Sequence, residues 1–130
     1  MRSGGKFEGG DPQALDRILA GAQRVRVREL RGDPDPLLEE RDPIAMQALR
    51  ESLRIADLPG FICRCLGDVA LEFLDAADAT LATVTLHHGN SVRWEGWPEH
   101  APLADGVRML EWLAVRGVPG PLREYRAAEE

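Results

Sequence analysis

From Phe61 onward the chain changes its period. FICRCL, VALEFLD, TLATVTLHH and VRWEGW alternate residues of different character, and the short segments GD, AADA and GNS separate them. Alternation with period two is what a half-buried strand requires, because successive side chains point to opposite faces. Four such runs joined by tight turns predict an antiparallel β-meander. A sheet of this kind has one apolar face to bury, so the rest of the chain must supply helices to cover it.

Two segments have the right pattern. IAMQALRESLRIA repeats Ala45, Leu49, Leu53 and Ala56 at four- and three-residue spacing, begins at Asp42-Pro43 and meets a stop at Pro59-Gly60. GVRMLEWLAVRG places Val107, Leu110 and Ala114 on one stripe with Leu113 beside them; Asp105 is its cap, Gly117 its C′ residue, and Pro119 lies beyond. Upstream, DPQALDRILAG reads as a short helix with Asp11 as N-cap, Pro12 at its first position and Gly21 as its end. RVRVREL alternates Val25 and Val27 with arginines, which favours a strand over residues 24–30; a helix continuous from Pro12 to Leu30 is the competing reading. RGDPDPLLEERDP and PEHAPLADG read as loops. The expectation is an α+β fold: an antiparallel sheet of four or five strands with the 43–56 and 105–116 helices packed on it. Residues 1–10 are a glycine-rich leader, 11–120 a single domain, and 121–130 a helical turn or frayed tail.

Bulk properties narrow the function classes. At 130 residues, 44% hydrophobic and 29% charged, the composition is that of one globular domain. A net charge of −6 disfavours nucleic acid, whose phosphates need a basic surface, and anionic membrane for the same reason. The first residues contain no apolar secretory core, and no run approaches the roughly 20 apolar residues of a membrane span. The reading is therefore cytoplasmic, where thiols are kept reduced.

That compartment sharpens interest in Cys63 and Cys65, the two cysteines of the chain, and in the adjacent His87 and His88. On regular strands Cys63, Cys65, His88 and Trp94 share the buried face, while Arg64, His87 and Arg93 take the other. A bound metal would then see Cys63, Cys65 and His88, completed by a loop group such as His100 or Asp68; zinc or another transition ion suits such donors. Strand geometry opposes this. Thiols two residues apart start about 7 Å from one another, and an intervening strand would hold Cys65 and His88 about 10 Å apart. The competing readings are two small core residues, with no cofactor, or a reactive Cys65 acting with His87 or His88 as catalytic base. His87 itself reads either as that base or as a solvated residue at a strand end. Burial of His88 without a charged partner would depress its pKa.

SVRWEGW adds Arg93, Trp94 and Trp97, residue types that dominate interface hot spots. Trp94 falls on the apolar face; Trp97, beyond the strand, is either an exposed anchor or a cover for the sheet end. CRCLGD, LHHGNSVRW, GW and LADGVRMLEWLAVRGV together resemble an uncharacterised small bacterial domain of actinobacterial type, over roughly Ala48 to Gly120. The resemblance implies the α+β organisation and carries no activity and no residue role. The function expected is a non-catalytic binding or regulatory module, acting through the sheet and the His87–Trp97 surface on a protein, a peptide or a small molecule. The alternative is a small enzyme using Cys63, Cys65 and His87 or His88, with or without metal.

Overall fold

The computed structural model describes residues 11–32, 35–56 and 67–129. In chain order these form α1 (Ala14–Leu19), β1 (Arg24–Glu29), β2 (Pro36–Glu40), α2 (Pro43–Ser52), β3 (Val69–Leu74), β4 (Thr80–His87), β5 (Ser91–Trp94), β6 (Ala101–Pro102), α3 (Gly106–Ala114) and α4 (Gly120–Glu129). The fold is α+β, with a six-stranded antiparallel sheet ordered β2-β1-β3-β4-β5-β6.

β3, β4 and β5 are three strands of the expected meander, and β1 settles the helix-or-strand question. Val25 stands opposite Phe73 and Val27 opposite Leu71, and all four are fully buried. A helix through this stretch could not have put both valines on one sheet face while the arginines between them faced away. Two segments read as loops also pair. Pro36–Glu40 adds an outer strand to β1, with Pro36 at an edge start where its missing N–H costs no ladder bond. Ala101 and Pro102 add a short one to β5. The strand expected over 61–66 lies outside the described residues; the edge of β3 away from β4 is taken by β1.

α2 and α3 follow their expected caps, whereas α1 starts at Ala14 with Gln13, not Asp11, at its N-cap position. Asp42 accepts the Ala45 N–H at 2.9 Å, and Asp105 accepts the Arg108 N–H at 3.3 Å. At the end of α3, Val118 N–H donates to Leu113 O and Gly117 N–H to Ala114 O, with Gly117 at φ 94°. That is a Schellman motif with Gly117 at C′. The buried face of α3 is rotated from the expected stripe: Met109, Leu110, Trp112 and Leu113 are inside, whereas Val107 and Ala114 are only half-buried. The cause is Trp112, whose indole N–H donates to Ala45 O at 2.9 Å and so docks α3 on α2. Arg116 stacks 4.1 Å over the Trp112 ring and donates to Glu40 on β2 at 3.0 Å. Residues 120–129, expected as a turn or tail, form a full helix that puts Leu122 into the core and packs Tyr125 against it.

The helices and the inner sheet face enclose one apolar cluster. The opposite face of β1 carries Arg24, Arg26 and Arg28, held by Asp78, Glu39 and Glu72 at 2.8, 2.9 and 2.8 Å. The arginines that alternate in the sequence are thus tied to the carboxylates of neighbouring strands and turns.

Past β5 the chain folds tightly over itself. Trp94 meets Trp97 edge-on at 5.2 Å, and Trp97 donates its indole N–H to Asp11 O at 2.9 Å. A Cβ on Gly96 would stand 2.2 Å from the Trp94 ring, so only glycine fits beneath it. Gly96→Ala should displace Trp94 and lower the unfolding free energy by about 1–3 kcal/mol in urea titration, with a changed near-ultraviolet tryptophan signal.

Candidate functional site

Registers bring the ends of three strands together. Val69 pairs with Glu29 on one side and Leu86 on the other, and Asp68 N–H donates to Leu86 O at 2.7 Å. Glu29, Asp68, His87 and His88 therefore arrive at the same end of the sheet.

His87 is the last residue of β4, opposite Ser91, and the chain reverses through His88 and Gly89 at φ 54° and 71°. With Asn90 N–H donating to His87 O, this is a type I′ turn, the reversal that suits the twist of antiparallel strands. Strand alternation stops at His87, which corrects the expectation for both histidines. His88 is exposed on the turn rather than buried beside the cysteines' face. His87, expected at a solvated end, is 2% exposed.

His87 shares its sheet face with Thr85, whose Oγ1 lies 2.7 Å from its Nε2. Its ring meets that of His100, also 2% exposed, at 4.5 Å between centres and nearly perpendicular. Burial is the main reason its pKa falls from 6.5 to about 4; the charges of His100, His88 and Arg93 act in the same direction. His87 is therefore neutral at pH 7. The buried Ser91 hydroxyl donates to His87 O at 3.3 Å. A Cβ on Gly67 would stand 3.1 Å from His87 Cε1, and the φ of 104° there also requires glycine.

Cys63 and Cys65 lie outside the described residues, and with them the expected thiol chemistry and the expected metal set of Cys63, Cys65 and His88. The structure brings together His87 and His100, a histidine that the sequence offered only as an extra loop donor. Among the described residues no three His, Cys, Asp or Glu side chains are placed to share a metal ion. Trp94 and Trp97 are 8% and 2% exposed, so Arg93 is the exposed member of the expected binding trio. No helix among the described residues is long and apolar enough to cross a membrane.

Beside the turn lies a cavity of about 530 Å³, within the roughly 300–1,000 Å³ usual for ligand sites. Val69, Val118, Pro119 and Pro121 supply apolar lining; Glu29, Asp68, Glu124, Arg31 and His88 supply the polar groups. Glu39, Glu72, Glu40 and Asp16 elsewhere are paired with arginines. Among the described residues Glu29, Asp68 and Glu124 form no ion pair. Sequence reasoning missed this site because Glu29 and Glu124 are 95 positions apart and neither belongs to a motif.

No family model matches the chain, and no curated protein or solved structure matches it. The bacterial-domain resemblance of its motifs thus gains no support.

The titration of His87 has a definite sign. Its folded pKa lies below the unfolded value, so the unfolded chain binds more protons and stability falls as pH drops through 6.5, levelling near 4. Between pH 7 and 5 the loss should be about 2 kcal/mol, and a His87→Gln variant should flatten that slope. Urea unfolding at the two pH values measures both.

Proposed function

We propose that this protein is a non-catalytic binding module whose cavity takes a positively charged group, the amine or guanidinium of a small molecule or of a peptide side chain. One observation carries the reading: three carboxylates without ion-pair partners among the described residues line a ligand-sized cavity with apolar walls, against one guanidinium. A carboxylate gains most from a donor that brings its own charge, since such hydrogen bonds are shorter and about twice as strong as neutral ones. Val69, Val118 and Pro119 offer contact to the hydrocarbon stem that carries such a head group. The burial of Trp94 and Trp97 is what moves the proposal away from the His87–Trp97 surface and into this cavity. The enzymatic alternative, chemistry at Cys65 with His87 or His88, has Cys65 outside the described residues and His87 engaged by Thr85 and His100.

Titration with lysine- and arginine-bearing peptides and with small diamines, followed by amide chemical shifts, tests the proposal. Shifts should centre on Asp68, Val69 and the Gly117–Leu122 segment, and binding should weaken with added salt. Asp68→Asn combined with Glu124→Gln should raise Kd at least about tenfold, since a charge-assisted bond contributes about 1.5–3 kcal/mol. Absence of any shift at millimolar amine, or shifts confined to the sheet edges, defeats it.

A further inference from the structure

We infer that the molecule filling the cavity is an extended peptide segment, laid as an added strand along the outer edge of β2 with a Lys or Arg side chain turned into the cavity. The inference rests on the cation-binding reading above and names what carries the cation. β2 ends the strand order, so among the described residues its far side has no neighbour in the sheet. The opposite edge, β6, offers only two residues, one buried and one half-buried. An open strand edge is a template for a further strand.

The ladder tells which groups point outward. Leu30 N–H donates to Asp68 O in step with the β1–β3 register, so the even-numbered residues of β1 bond to β3. Val25 and Val27 then bond to β2, opposite Glu40 and Leu38, and the N–H and C=O of Glu39 between them face away from the sheet. One residue of an antiparallel partner can exchange both hydrogen bonds with Glu39. The residues before and after it turn their side chains to the inner face, the face of Val69 in the cavity wall. Leu37, two residues from Glu39, lines the same cavity. That is about 7 Å along the strand, a distance that the stem of a Lys or Arg spans. In the antiparallel sense the basic residue lies C-terminal to the one paired with Glu39.

The exposed apolar side chains agree. Among the described residues the large hydrophobics left exposed are Leu37, Ile44 and Val115. All three belong to the corner beside β2. Leu37 is on the strand itself, Val115 precedes Arg116, which donates to Glu40, and Ile44 precedes Ala45, whose carbonyl accepts the Trp112 indole N–H. Exposed singly, such residues are ordinary; gathered beside an open edge they mark a contact surface. Charge selects the occupant. Glu29, Asp68 and Glu124 at the end of this edge favour a basic residue. A second copy would bring its own net charge of −6 and set Glu39 opposite Glu39.

The test titrates the full chain with N-acetylarginine amide and with a capped hexapeptide of valine and threonine ending in arginine, followed by amide chemical shifts. The peptide should bind at least about tenfold more tightly than the amide, and should shift Leu38, Glu39 and Val115 as well as Asp68 and Val69. Two further peptides carry N-methyl groups on one or the other alternate set of backbone amides. One should lose the gain and the other keep it, because only every second amide faces the edge. Glu39→Pro, which removes the outward N–H, should weaken the peptide to the level of the amide and leave the amide unchanged. Should that variant not fold, the two N-methylated peptides read the same contact on wild type. Equal Kd for peptide and amide, with β2 unmoved, overturns the inference and leaves the cavity reading standing; binding of neither ends both. Dimerisation of the free protein through β2, seen in sedimentation and in concentration-dependent shifts at Glu39, would give the edge to a second copy and overturn the inference as well.

Discussion

The pairing of β1 with β3 is the contact on which the rest of the molecule depends. It inserts a strand from near the start of the chain against the first strand of a later meander, at a separation of more than forty residues. The register that places Val25 on Phe73 and Val27 on Leu71 closes the inner face with fully buried side chains. At the rough figure of 1.5–3 kcal/mol for each buried side chain of this size, those four residues alone outweigh most polar contacts in the fold. The same register leaves Arg24, Arg26 and Arg28 on the other face, within reach of Glu39, Glu72 and Asp78. Slipping it by one residue would drive guanidinium groups into the core.

Two electrostatic environments follow at the end of the sheet where the strands converge. On one side Glu29, Asp68 and Glu124 line a cavity and form no ion pair among the described residues; on the other, two imidazoles are withdrawn from water. Only a few residues separate them, because His87 closes the ladder while His88, on the left-handed turn, swings away towards the cavity. The tight I′ turn thus divides adjacent histidines between a buried and an exposed setting, which neither residue type nor spacing could decide. Positive charge at His87 is opposed by burial and by His100, His88 and Arg93 together, so its neutrality is a property of the assembled strand ends.

Much of the fold was legible in the sequence because its signals are local. Period-two alternation in 69–74, 80–87 and 91–94, the caps at Asp42 and Asp105, and Gly117 at a helix end all depend on a few neighbouring residues. The paired segments read as loops, Pro36–Glu40 and Ala101–Pro102, carry little such signal: their strand character comes from a partner with free ladder groups. The rotated face of α3 has the same origin, since Trp112 is drawn to Ala45 by a contact across the fold.

The candidate sites divide in the same way. By itself the sequence determined the α+β class, the strand and helix positions that rest on periodicity, and the residue types able to do chemistry, because these are set within a turn or two of chain. Only the tertiary structure decided which histidine is buried, that His100 is its neighbour, that Trp97 is covered, and that Glu29, Asp68 and Glu124 face one cavity. Those outcomes depend on strand order and register between distant segments, and a period of two assigns a residue to a face without saying what lies across from it.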